Sequence, residues 1–106
     1  MRVLIDACLP LKLQHHIPLR GIATVRGMGW QRLKNGELLA RAQSEFDVLI
    51  TMDKSIPSQQ RLSQYSIGLL IVRARSNRLP DLLPLIPKML AALPRAMPGT
   101  AVVIEE

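Results

Sequence analysis

Aromatic residues are nearly missing from this chain, which has one Trp, one Tyr and one Phe. A core made from such a composition must be aliphatic, as in layered strands and helices. There is a single cysteine, Cys8. No internal disulfide is possible, and the chain reads as cytoplasmic. No stretch approaches the roughly 18–20 uninterrupted apolar residues of a membrane span, so no membrane association is expected. The first residues lead straight into a strand and lack the pattern of a secretory leader. Acids are scarce too: eight Asp and Glu stand against fourteen Lys and Arg, for a net charge of +6. Such a balance favours a polyanionic partner. No Lys/Arg block is dense enough to form a basic tail, so the charge belongs to a folded surface. With 48% apolar residues over 106 positions, one domain spanning 1–106 is expected.

Because acids are few, their positions are informative. Two short apolar runs each lead to an aspartate: Arg2-Val3-Leu4-Ile5-Asp6, and Asp47-Val48-Leu49-Ile50-Thr51-Met52-Asp53. Runs of this kind read as strands buried on both faces. In an open parallel sheet, ligands bind beyond the carboxyl ends of the strands, so Asp6 and Asp53 should reach one rim.

The remaining pattern predicts strands at about 2–5, 22–25, 47–51, 67–72 and 101–104. Helices are predicted at about 9–17, 35–45, 58–63 and 81–93. Asn35 is expected to be the N-cap of the second helix, with Glu37 in its first turn. Pro84 and Pro87 predict an irregular start to the last helix, since proline is tolerated only in a first turn. The alternation implies α/β architecture, a three-layer α/β/α sandwich on a mainly parallel sheet of about five strands.

In that arrangement Asp6, Glu37 and Asp53 fall at the same end of the sheet. Carboxylates brought together repel unless a cation or proton intervenes. An oxygen-only set suits Mg²⁺ or Mn²⁺ and not Zn²⁺. Each acid also has a simpler role, as a turn or helix cap. Asp47 lies at the opposite end of its strand, Asp81 is expected to cap the last helix, and Glu105 and Glu106 are terminal. Arg73, Arg75 and Arg78 follow the fourth strand, where their forked groups would suit phosphate. Arg26, Arg32 and Lys34 would extend the patch. Trp30 is a candidate for stacking on an unpaired base, or alternatively a hydrophobic plug. Thr51 could orient Asp53, and Lys54 could contact substrate. His15 and His16 read as surface or structural residues, and Cys8 as a small buried apolar one.

Asp6 after an opening strand, the helix start Asn35-Gly36-Glu37-Leu38-Leu39, and Val48-Leu49-Ile50-Thr51-Met52-Asp53-Lys54 together resemble the small stand-alone PIN-like proteins. These belong to the PIN-type metal-dependent ribonucleases, which include prokaryotic toxin–antitoxin toxins. The resemblance covers nearly the whole chain. It implies a PIN-like fold, a Mg²⁺ or Mn²⁺ site at Asp6, Glu37 and Asp53, endonucleolytic cutting of RNA, and a small antitoxin partner. A fourth acid common in that pattern is absent here; Ser76 or Asn77 would supply a neutral oxygen or hold a water in its place. A non-catalytic module that binds RNA or protein is the alternative. A phosphoacceptor domain of the response-regulator kind would need paired acids after strand 1 and a lysine after the last strand, and neither is present. The apolar character of Leu79–Leu93 suggests a surface for a homodimer or an antitoxin.

Overall fold

The computed structural model describes residues 1–106. Five strands, β1 (Arg2–Ile5), β2 (Gly21–Thr24), β3 (Val48–Thr51), β4 (Gly68–Arg73) and β5 (Ala101–Glu105), form one sheet in the order β2-β1-β3-β4-β5. Every neighbouring pair is parallel. The helices are α1 (Asn35–Ala42), α2 (Ile56–Gln59), α3 (Leu79–Leu82) and α4 (Ile86–Ala92). Side chains alternate along β3 and β4. Val48, Ile50, Leu70 and Val72 pack into one core cluster, and Leu49 and Leu69 into a second on the other face. The expected α/β sandwich on a parallel sheet is therefore what the chain forms. No helix is long and apolar enough to cross a membrane.

Several elements differ from expectation for local reasons. The segment predicted as a helix over 9–17 is a 3₁₀ stretch, Leu11–His16, bounded by extended Pro10 and Ile17. Prolines at 10 and 18 leave no room for a longer α-helical run. α1 ends at Ala42, three residues early. The predicted 58–63 helix is α2 at 56–59 and a separate 3₁₀ turn at 62–64. The predicted 81–93 helix is a chain of four short pieces: α3, a 3₁₀ turn at 83–85, α4, and a 3₁₀ turn at 93–95. A proline sits in the first turn of each piece, where its missing N–H costs least.

Half of the large apolar residues of that segment face inward and do not form an exposed apolar face. Leu82, Leu85, Met89 and Leu93 are buried in the first cluster against the sheet. The expectation of an exposed apolar face over Leu79–Leu93 is corrected accordingly.

Cluster membership also fixes where each connection crosses. The β1–β2 link (Leu9, Leu13, Ile17) and the β4–β5 link (Leu82, Leu85, Met89) pack on the first face. The β2–β3 link (Leu38, Leu39) and the β3–β4 link (Ile56) pack on the second. The chain moves in opposite directions from β1 and from β3, on opposite faces, so a crevice opens between their carboxyl ends. This is the topological switch point, where open α/β sheets bind ligands. The β4–β5 link continues in the β3–β4 direction but on the other face, so its hand is opposite to that of the other three. Nearly all such crossovers share one hand. The departure leaves the second face of β5 uncovered, with Val103 52% exposed.

Candidate active site at the carboxyl rim of the sheet

The first carboxylate arrives directly from β1. Asp6 N–H donates to Ile50 O at 2.9 Å, so Asp6 is pinned beside β3 as the ladder runs out. Its Oδ1 accepts from the Ala7 N–H at 2.8 Å. Its Oδ2 accepts the Thr51 hydroxyl at 2.6 Å. Thr51 is the last residue of β3 and is fully buried. Its oxygen also accepts the Asp53 N–H at 3.0 Å. One threonine hydroxyl thus ties the turn after β1 to the turn after β3.

Asp53 is held from two sides. Ser55 donates to Oδ1 through both its hydroxyl and its N–H. Asn35 Nδ2 donates to Oδ2 at 3.3 Å and shares a second contact with Gln59 Oε1 at 3.2 Å. The Ser55 hydroxyl bond is the main reason the Asp53 carboxyl lies below its ordinary value of 3.8. The Ser55 N–H and the Asn35 amide add to it, and partial burial opposes them. Asp53 is therefore ionised at any physiological pH.

Asn35 does not cap α1 as expected. It is the first helical residue, and Lys34 occupies the cap position. Its side chain is engaged by Asp53 across the crevice instead of by its own helix. Glu37 Oε1 accepts the Lys34 N–H at 3.4 Å, a long bond typical of a partial capping box. Glu37 is exposed, and no group of three or more His, Cys, Asp or Glu side chains converges to hold a metal. The structure brings together Asp6 and Asp53 through Thr51, and leaves Glu37 on the flank.

Cys8, expected to be buried, is exposed beside this network. Its sulfur lies 3.6 Å from Thr51 Oγ1 and accepts the Met52 N–H at 3.4 Å. Crowding around the sulfur pushes the thiol above its ordinary value of 9.0. The Asp6 charge adds to this, and the Met52 and Thr51 hydrogen bonds oppose it. A thiol held protonated in this way is a poor nucleophile. Asn77 reaches the same place, donating to Cys8 O at 3.2 Å. Ser76 is turned away: its hydroxyl donates to Asp81 Oδ2 at 2.6 Å and accepts the Arg78 N–H. Asp81 therefore fixes Ser76 rather than capping α3 itself.

Lys54, Arg73, Arg75 and Arg78 are exposed around the rim. The molecule contains one ion pair, Arg73 Nη1 to Glu105 Oε2 at 3.8 Å, between two exposed side chains. Asp6 and Asp53 therefore have no Lys or Arg partner, although the chain carries +6. Of the two roles expected for Trp30, the hydrophobic plug is the one observed and base stacking is not: it is only 8% exposed and packs edge-on against Phe46, with ring centroids 6.2 Å apart. Neither face is open to a base.

Sequence reasoning passed over Ser55 and Gln59. The Asp-x-Ser spacing of 53–55 is an Asx-turn signal that would have marked Ser55.

Two carboxylates with hydroxyl and amide oxygens nearby suit a hard cation that keeps several waters, as Mg²⁺ does. They do not suit a closed all-protein cage or a thiolate-ligated metal. No family model, no curated protein and no solved structure matches this chain.

Proposed function

We propose that this chain is a Mg²⁺- or Mn²⁺-dependent endoribonuclease, with Asp6 and Asp53 as the cation-binding pair. The observation that carries the reading is two aspartates at the switch point of a parallel sheet, linked by the Thr51 hydroxyl from the Asp6 carboxylate to the Asp53 backbone N–H, and unpaired with any Lys or Arg. A divalent cation bound there would lower the pKa of a water and neutralise charge at a phosphodiester. Thr51 ties the Asp6 carboxylate to the backbone of Asp53. Ser55 and Asn35 fix the rotamer of Asp53 and keep it ionised, so no proton has to leave before a cation binds. Lys54, Arg73, Arg75 and Arg78 supply positive charge for the flanking phosphates, and Asn77 braces the Cys8 backbone. Only the family resemblance adds Glu37 to the set; here its carboxylate lies on the flank and accepts the Lys34 N–H at 3.4 Å.

The resemblance of residues 6, 35–39 and 47–54 to small PIN-like proteins supplies the substrate class and the partner. Under it the chain is a cytoplasmic toxin of a toxin–antitoxin pair, restrained by a small antitoxin.

The test is cleavage of a mixed-sequence single-stranded RNA pool with MnCl₂. Wild type should cut, and excess EDTA should stop it. Asp6→Asn and Asp53→Asn should fall to background, and Thr51→Val should lose about 10–100-fold. Cutting that survives EDTA or persists in Asp53→Asn would refute the reading. The lack of a third converging ligand favours one alternative, a module of the same fold that binds RNA or protein without cutting. RNA binding with no cleavage under any divalent cation would establish it.

A further inference from the structure

The two edges of the sheet are finished differently. At β2, Ile22 packs against the first core cluster and Ala23 against the second, so both faces of the strand are covered. At β5, Val102 and Ile104 pack against the first cluster, while Ala101, Val103 and Glu105 point to the other face and are exposed. Val103 and Met97, which is 59% exposed in the connection to β5, are two of the four large apolar side chains left open in the molecule.

The backbone of this edge is open as well. Leu69 N–H donates to Thr100 O at 2.9 Å, and the register runs from Leu69↔Ala101 to Arg73↔Glu105. In a parallel ladder that phase turns the amides of Val102 and Ile104 toward β4, and those of Ala101, Val103 and Glu105 outward. Of the side chains, Lys88 alone reaches these outward groups, its ammonium donating to Glu105 O at 2.8 Å. A carbonyl has two lone pairs, so Glu105 O can accept another bond. Natural edge strands are commonly blunted by proline or a bulge; Ala101–Glu105 has no proline and pairs with β4 in unbroken register. The ends of the edge carry opposite charge. Glu105 and Glu106 lie at its carboxyl end, and Arg95, exposed in the 3₁₀ turn at 93–95, precedes its amino end. A second copy brought up by a two-fold axis runs antiparallel and sets the acidic end of each strand against the basic end of the other. A parallel copy would set Glu105 against Glu105.

We propose that the chain self-associates through β5, forming a two-fold dimer in which two sheets join antiparallel into one, centred on Val103. The axis puts Val103 beside Val103 and Ala101 beside Glu105, so the outward N–H and C=O groups of these residues meet their counterparts. The bare faces of the two β5 strands become continuous, with Met97 at each margin. The two carboxyl rims point in opposite directions, so neither copy covers the other's Asp6 and Asp53, and the dimer does not depend on the ribonuclease reading. Pairing one five-residue strand makes a small interface, with a dissociation constant of about micromolar or weaker.

The experiment is sedimentation equilibrium from micromolar to millimolar protein, at about 0.15 M salt, where distant charges are screened. Wild type should pass from monomer to dimer over that range. Val103→Lys alters a half-exposed side chain and should stay monomeric with an unchanged urea midpoint. Ala101→Glu and Ala101→Arg separate the antiparallel register from a general effect of bulk. Each adds a long side chain, and the two-fold axis places it beside the partner's Glu105. Ala101→Glu should therefore dimerise about tenfold more weakly than Ala101→Arg. A wild type that stays monomeric leaves the edge to a foreign strand or to nothing, and overturns the proposal. So does a dimer that survives Val103→Lys, or one that Ala101→Glu and Ala101→Arg weaken equally.

Discussion

Asp47 and Asp53 flank the same strand, and their surroundings differ in kind. Asp47, at the amino end of β3, accepts the Arg2 N–H at 2.7 Å, while its own N–H donates to Arg2 O. It clips two backbones together. Asp53, past the carboxyl end, is held by the side chains of Ser55 and Asn35, and is linked through Thr51 to a second carboxylate. Around Asp47 the chain is saturating its own backbone. Around Asp53 several polar side chains are gathered on carboxylates that close no strand ladder, at the place where parallel sheets bind ligands. An acid that closes a ladder is architecture, whereas two acids without a counter-charge are what the proposed cation site rests on.

The comparison can be broken most severely at the amino end. Gly68 opens β4, and a Cβ there would lie 2.0 Å from Ala96 O. Backbone cannot yield as a side-chain tip can. Gly68→Ala should therefore cost about 3 kcal/mol or more, read as a lowered urea midpoint. A loss below about 1 kcal/mol would mean that the amino end is looser than described.

Thr51→Val comes next. It keeps the shape but removes the hydroxyl bonded to Asp6 and the acceptor for Asp53 N–H. Urea unfolding should show a loss of about 1.5–3 kcal/mol, the range for hydrogen bonds to charged groups. No loss would mean that the link between the two turns is unimportant.

A smaller effect reads Asp53 through pH. Asp53 has a folded pKa below its ordinary 3.8, so its ionised form stabilises the fold. That contribution is complete above 3.8 and is lost as pH falls through the lower, folded value. Carboxyl NMR should show Asp53 titrating below 3.8, and Ser55→Ala should move it upward. An unmoved titration would detach Ser55 from Asp53.

The smallest effect concerns Cys8, whose thiol is raised above 9.0. Alkylation by iodoacetamide should be slow at pH 8 and accelerate only above pH 9. Fast reaction at neutral pH would contradict the crowding around its sulfur.

The strands were legible because aliphatic runs of this length have one reading. β1 falls at 2–5, and the starts of β3, β4 and β5 fall within a residue of their patterns. The proline-broken last helix was legible in kind, since each proline announces a first turn. The amide of Asn35 was not. Helix-start chemistry says cap, and only a partner eighteen residues away decides otherwise. The link from Thr51 to Asp6 spans forty-five residues, beyond any local pattern. The exposed position of Cys8 and the burial of Trp30 depend on which loops close over the rim. The opposite hand of the β4–β5 crossover is likewise invisible in a periodicity that fixes only which residues are apolar.

The central claim is that the carboxyl-end acids form a cation site and the amino-end acid does not. Calorimetric titration of Mn²⁺ into wild type, Asp53→Asn and Asp47→Asn tests it most directly, because it needs no knowledge of the RNA. The account predicts binding in wild type and in Asp47→Asn, and none in Asp53→Asn. Absence of binding in wild type, or equal binding in Asp53→Asn, would contradict it.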